Sequence, residues 1–426
     1  MTFPSLLRSL LLTCFVLALT AGCDAIPESQ SWFAPSHVAQ KPVGPQTVPP
    51  AGMIVPPAPG AAGPGVVMPP PGSPQVTLPP PALAPTAKIK VAILLPLSGQ
   101  NAALGQAMQN AAQLAVFDVA DSHFELMPRD TASNESGSEA AARDAISSGA
   151  QFFIGPVFAA DVNRVKPIAL ASGINMLALS SDAALADQNV FVMGFAPGAQ
   201  VERAINFAHA HGAHNFAAIV PKGAYGDLVS AAFQNAIARN GDVVVDTQTF
   251  DPALRDYTAA VTVLSAKKGQ IDGLLLPVGG EDLANIAKQL AAAGFDRAHT
   301  HVIGTGLWDV PDIGRSEFLL GGWYAASDPK ARKNFMASYV KTNGHEPPRL
   351  ATLAYDATAL AALLAKQGGR FDRAALVNPN GFAGVDGIFR LTDRGIVERG
   401  LAVLEVTPNG GHVVDPAPIS FTAVGH

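Results

Sequence analysis

Cysteine is almost missing from this chain of 426 residues: Cys14 and Cys23 are the only two, and both fall at the amino-terminal end. Everything after Cys23 therefore folds without disulfides, and thiolate metal sites and cysteine nucleophiles are excluded from it. Positive charge is sparse as well. The 28 Lys and Arg are outnumbered by 34 Asp and Glu, the net charge is −6, and no basic cluster could neutralise a row of phosphates. Nucleic acid is excluded as a partner on that ground. The apolar run near the amino terminus, Leu10–Leu19, is half of the roughly 20 residues that cross a bilayer, which argues against an uncleaved membrane span. Several site signatures are also absent: His-Glu-x-x-His, an Asp-rich calcium loop, the phosphate-binding Gly-x-x-x-x-Gly-Lys-Ser/Thr, and a Gly-x-Gly-x-x-Gly following a strand. No cofactor and no metal ion is expected.

The first 22 residues carry one positive charge, Arg8, then the apolar run, then Thr20-Ala21-Gly22 ahead of Cys23. This is the layout of an export signal. Its ending resembles the lipobox of bacterial lipoproteins, with Thr20 where those favour Leu. The resemblance implies that Cys23 is acylated, becomes the mature first residue and anchors the chain to a membrane, each acyl CH₂ adding about 0.8 kcal/mol. Residues 23–87 read as a stalk. Of the 35 prolines, 18 fall between Asp24 and Thr86, where Asp24, Glu28 and Lys41 are the only charged residues. Polyproline II pieces joined at Gly60, Gly63 and Gly65 make a semi-rigid spacer that reaches about 190 Å at about 3.1 Å per residue when extended. The prolines lack the repeated flanking charge of a docking ligand.

From Lys88 onward, short β-branched runs alternate with longer Ala-rich amphipathic ones, the pattern of parallel sheets covered on both faces. Strands are predicted at Lys90–Leu97, Phe124–Pro128, Gln151–Ile154, Ile174–Ser180, Phe216–Pro221, Val243–Phe250, Gly273–Val278 and His301–Gly304. Eight βα units exceed one small sheet, so the fold class is α/β with two Rossmann-like lobes joined by hinge crossovers. Residues 88–196 and 326–375 are assigned to the first lobe, and 197–325 and 376–426 to the second, with hinges near Phe195–Gly198 and Ala325–Asp328. Ligands of open α/β sheets sit outside the carboxyl ends of the strands. There the sequence places small and hydroxyl residues, and Ser98, Gly99, Ser180, Ser181 and Tyr225 are the candidate ligand-binding set for a small polar molecule between the lobes.

At these points the chain resembles the type I periplasmic-binding family in its leucine-binding branch. Ile93-Leu94-Leu95-Pro96-Leu97-Ser98-Gly99, Leu104-Gly105, Ile154-Gly155-Pro156, Ser180-Ser181 and Tyr225-Gly226-Asp227 match in order. The resemblance implies that Ser181 meets a ligand carboxylate and that Tyr225 is a cleft tyrosine. Three positions depart from the amino-acid binders: Ala159 replaces a serine, a second tyrosine falls near Gly279-Gly280, and the acid that pairs an ammonium falls near Gly306. A buried ammonium without that acid costs several kcal/mol.

The stalk, the tail Asn380–Arg390, Arg399–Val403 and Asp415–Pro418 resemble the penicillin-binding-protein activator lipoproteins. That resemblance implies a non-catalytic envelope protein that docks on a bifunctional peptidoglycan synthase, a penicillin-binding protein, and shifts its conformational balance. Activators of this kind carry a helical-repeat domain before the binding-protein fold, and here only the stalk precedes it. The alternative is a membrane-tethered receptor that passes an amino-acid-like solute to an ABC transporter or sensor.

Ser-x-x-Lys occurs at Ser265/Lys268 and Ser338/Lys341 without its companion elements, so both pairs read as helix surface. His209, His211 and His214 form the one histidine cluster; residues two apart face away from each other on a helix, which favours a structural helix end over a metal site. Trp308, Trp323 and Tyr324 suit either packing or an aromatic interface.

Overall fold

The computed structural model describes residues 88–421. The export signal, Cys23 and the Pro-rich stalk lie outside the described residues. Among the described residues no helix is long and apolar enough to cross a membrane.

The first sheet is built from β1 (Ile89–Leu95), β2 (Phe124–Asp130), β3 (Phe152–Ile154), β4 (Asn175–Ala178) and β5 (Val190–Val192), all parallel in the order β2-β1-β3-β4-β5. Helices α1 (Ala102–Val119), α2 (Glu135–Ser147) and α3 (Ala159–Ala171) make the crossovers. The strand period of two is visible in what each face touches: Val91, Ile93 and Leu95 enter one core, and Ala92 and Leu94 enter the opposite one. A strand buried on both faces reads as an unbroken apolar run, as in Ile89–Leu95.

The second lobe opens with α4 (Pro197–Ala210) and repeats the pattern. It continues through β6 (Asn215–Pro221), α5 (Ala224–Asn240), β7 (Val243–Phe250), α6 (Thr258–Ser265), β8 (Gly273–Leu275), α7 (Gly280–Ala292), β9 (His301–Gly304) and β10 (Trp323–Ala326). On α7, Leu283, Ile286, Ala287 and Leu290 are buried, the i, i+3, i+4, i+7 stripe of an amphipathic helix. At 326–329 the chain returns to the first lobe, where Asp328 caps α8 (Pro329–Asn343) by accepting from Lys330 N at 2.9 Å. Next comes α9 (Ala351–Lys366), which is apolar almost all round and is buried over nearly its whole length. Such a helix has no solvent face and belongs in the middle of a core.

After the short α10 (Arg373–Leu376), three strands form an antiparallel sheet: β11 (Phe382–Gly384), β12 (Gly387–Leu391) and β13 (Val397–Arg399). The hairpin β14 (Ala402–Thr407) and β15 (Gly410–Asp415) then completes the second sheet, whose order is β15-β14-β10-β9-β8-β6-β7.

The two-lobed α/β architecture expected from the alternation is the one observed, and all eight predicted strands are present. One assignment is corrected. Residues 376–399 do not join the second lobe: Leu376, Val385, Phe389, Leu391 and Val397 enter the first lobe's core, and Val192 N donates to Gly395 O at 2.7 Å. The physical reason is the free edge of β5, which the segment around Ile396 covers by a parallel bridge. The final crossing to the second lobe therefore occurs at 400–401, a third crossover beside the two expected hinges.

Candidate functional site

A cavity of about 1060 Å³ opens between the lobes at the carboxyl ends of the strands. Its walls come mostly from the turns after strands and from the hinge, with Gln200 of α4, Leu228 and Ala231 of α5 and Leu353 of α9 added from helices. Residues 157–159 follow β3, 179–182 follow β4, 224–231 follow β6, and 306–309 follow β9. Phe195, Pro197 and Ser327 supply the hinge side, and Arg349 reaches it from the connection between α8 and α9. Helices α3, α4 and α5 begin beside the cavity with no side-chain cap at Phe158, Ala196 or Gly223.

Three of the five predicted ligand-binding residues line this cavity: Ser180, Ser181 and Tyr225. Tyr225 lies with its hydroxyl 3.4 Å from Thr305 Oγ1, and burial pushes its phenol up, so it stays a neutral donor through the physiological range. Ser180 is buried and its Oγ accepts from Asp182 N at 3.2 Å, which leaves the exposed Ser181 as the freer hydroxyl.

Ser98 and Gly99 are not brought to this cavity. Ser98 N donates to Asp130 Oδ1 at 3.1 Å and its carbonyl accepts from Ser133 Oγ at 2.6 Å, so the residue ties β1 to the turn after β2. Gly99 has φ +79°, and a Cβ there would come within 2.9 Å of Ala132 O. Both residues serve a turn, which explains why a small-residue signal at a strand end pointed to them.

Sequence reasoning missed the charged part of the site. Arg349 is the one cation on the cavity wall. Its guanidinium lies 4.0 Å from the Phe195 ring centre and donates to Asp386 Oδ2 at 3.0 Å and to Ser327 Oγ at 3.1 Å. Asp309, from the second lobe, pairs with Arg332 of α8 at 2.7 Å and stands 3.9 Å from Arg349. Deeper in the hinge, Arg399 donates to Met193 O at 3.0 Å and pairs with Asp356 at 3.6 Å. Three Arg and three Asp thus form a chain of charge that crosses from one lobe to the other. The signals were isolated residues: Arg349 after Pro347-Pro348, and Asp356 within an apolar helix.

Burial sets the chemistry of this chain. Asp356 and Asp386 have no exposed surface. Burial, reinforced by repulsion from Asp386, raises the Asp356 carboxyl to about 7. Burial also works upward on Asp386, but the Arg349 and Arg399 guanidiniums outweigh it and hold that carboxyl below its ordinary value. Arg399 itself is lowered by complete burial.

The remaining sequence candidates lie elsewhere. Ser265 Oγ donates to Thr262 O at 2.8 Å and Lys268 Nζ to Ala293 O at 3.0 Å, while Ser338 and Lys341 lie exposed on α8. Trp308 and Tyr324 are core residues, and Trp323 stacks on His301 at 4.2 Å. The reading that separated the three histidines is corrected for one pair. His211 turns away to lie tilted against the Phe207 ring, but His209 and His214 meet on Asp242, because His214 lies beyond the helix end.

The family model described as periplasmic binding protein matches residues 88–411. The chain belongs to that family. Its proteins are binding proteins of the periplasm, and solved relatives agree on the fold. A leucine binding protein, LivK, from Thermotoga maritima has a TM-score of 0.58 at 22% identity, over 77% of this chain and 98% of its own. A putative branched-chain amino acid ABC transporter protein from Rhodospirillum rubrum gives 0.69 at 19% identity, over 77% and 100%. A solute binding protein from Rhodopseudomonas palustris, solved with 3,4-dihydroxybenzoic acid, gives 0.60 at 20% identity, over 78% and 96%. Among curated proteins, an uncharacterized protein of Rickettsia prowazekii is 26% identical over 166 residues, a stretch that spans 38% of this chain and 44% of that relative.

Proposed function

We propose that this protein is a non-catalytic solute receptor of the cell envelope, tethered to a membrane through Cys23, and that it takes a small organic acid with an apolar body between its lobes. The observation that carries the reading is the inter-lobe cavity of about 1060 Å³, which is of the size that holds small ligands and has Arg349 as its one cation. The starts of α3, α4 and α5, none with a side-chain cap, add local positive potential to a wall that also carries Asp182, Asp227 and Asp309. Ser181 and Tyr225 provide hydroxyl donors, and Leu307 and Leu228 provide apolar wall. Three relatives support the class of ligand: one is a leucine-binding protein, and two were solved with benzoate-type acids.

The test is thermal unfolding of the full chain with benzoate, 4-hydroxybenzoate, leucine and isoleucine, each at millimolar concentration. A ligand present at 100 times its Kd adds about 2.7 kcal/mol of stability, a shift of a few degrees, and Tyr225→Ala should remove most of it. No shift with any of the four overturns this reading.

A second reading is favoured by the tail. The three-stranded sheet β11–β13 covers the edge of the first lobe, and its sequence carries the resemblance to penicillin-binding-protein activators. On that reading the protein docks on a peptidoglycan synthase. Stimulation of polymerisation by the full chain, together with no solute-induced shift, would favour it.

A further inference from the structure

The far end of the second lobe carries a donor cluster that the cleft does not use. β6 and β7 run parallel with Asn215 opposite Val243, so the residues just before them, His214 and Asp242, arrive side by side. Gly212 at φ +94° and Gly241 at φ +73° make the turns that deliver them. His209, in the last turn of α4, completes the set. Asp242 Oδ2 lies 2.9 Å from His209 Nδ1, and Asp242 Oδ1 lies 2.9 Å from His214 Nδ1. One ligand atom from each residue falls within 4.8 Å of the others.

We propose that His209, His214 and Asp242 form a binding site for a divalent transition metal, with zinc(II) the ion its donors suit best. Two imidazole nitrogens and one carboxylate are a borderline donor set, which selects zinc, copper, nickel or cobalt over magnesium or calcium. Four-coordinate zinc with bonds of about 2.1 Å places its ligand atoms about 3.4 Å apart, a value that falls between the 2.9 Å of the two His–Asp pairs and the 4.8 Å within which all three ligand atoms lie. The carboxylate is nearly inaccessible, with 2% of its side chain exposed, whereas His209 and His214 are 36% and 57% exposed. Three protein donors on a buried floor with an open outer side leave the fourth position to water or to a donor from a partner. The cavity is entered from the opposite, carboxyl ends of the strands, so the metal would fasten the end of α4, the approach to β6 and the turn between α5 and β7 together without touching the cleft.

The experiment is calorimetric titration of zinc(II), and optical titration of cobalt(II), into the full chain carrying Cys14→Ser and Cys23→Ser, so that the two thiols do not compete. One ion per chain is expected, with at least a tenfold loss of affinity in His214→Ala and in His209→Ala. His299→Ala should leave binding unchanged, because that exposed histidine pairs only with the exposed Asp296. Zinc should also raise the Tm of the parent and not of His214→Ala. Both histidines lie at a surface, and unchanged circular dichroism checks the fold of each variant. Absence of saturable uptake, or uptake that His214→Ala leaves unaltered, overturns the proposal and makes the cluster a hydrogen-bonded end to two turns.

Discussion

Replacing Arg349 by Met removes one guanidinium from the hinge while keeping most of its length and apolar bulk. Asp386 would lose its closest cation, now 2.9 Å away, and remains fully buried. Breaking a buried pair from one side costs about 3–5 kcal/mol, because the partner charge stays desolvated. We expect the lower figure, about 3 kcal/mol at pH 7. Arg332 still lies 4.0 Å from Asp386, and the Arg349 side chain is 32% exposed, so solvent already screens part of its charge. The pH dependence follows from the same contacts. In the parent, Arg349 and Arg399 hold the Asp386 carboxyl low against burial, so it is ionised in folded and unfolded chains alike down to about pH 4. In Arg349→Met, burial is less well opposed and the folded-state value rises above the unfolded one. The folded variant then binds a proton that the unfolded chain does not, and it recovers stability as pH falls toward about 4. Urea unfolding of parent and variant at pH 7 and pH 4.5 measures this. A loss under about 1 kcal/mol at pH 7, or the same loss at both pH values, would refute the account of the hinge as a dependent charge chain.

Two further outcomes follow. Asp356 is raised to about 7 in the folded state, so its favourable contribution is present below about pH 4 and is lost as pH rises from about 4 to about 7. Relative to Asp356→Asn, which cannot titrate, the parent should lose stability across that window with a slope of up to about 1.4 kcal/mol per pH unit; parallel curves would show that the carboxyl is not perturbed. At the end of β9, a Cβ on Gly304 would overlap the indole of Trp308, a fully buried residue whose Nε1 donates to Val278 O at 3.1 Å. Gly304→Ala should therefore cost about 1–3 kcal/mol through overpacking, seen as a lowered Tm, and an unchanged Tm would mean that the indole moves freely.

Much of this architecture was legible in the residue order. Strands buried on both faces must be apolar throughout, so Ile89–Leu95 and Phe216–Pro221 announce parallel sheets whatever lies around them. The strands that escaped notice are short, as in Val190–Val192 and Val397–Arg399, or sit in the antiparallel hairpin Ala402–Asp415. None of these follows an α-helix directly, whereas the equally short Phe152–Ile154 and Gly273–Leu275 stand in the βα alternation that made them readable. Ser181 and Tyr225 were recoverable as strand-end residues because a fold of this class puts its cleft there.

What the sequence by itself determined is the class of fold, the order of its βα units and the candidate hydroxyls after the strands. All of these follow from the local period of apolar residues and the turn chemistry beside it. Only the tertiary structure decided the remainder. It gave residues 376–399 to the first lobe, because the open edge of β5 needed covering. It gathered Asp309, Arg332, Arg349, Asp356, Asp386 and Arg399, scattered over 91 positions, into one hinge. It also drew Asp242 beside His209 and His214. Such meetings depend on which strand ends lie next to each other in a sheet, a property of the assembled topology that no local pattern encodes.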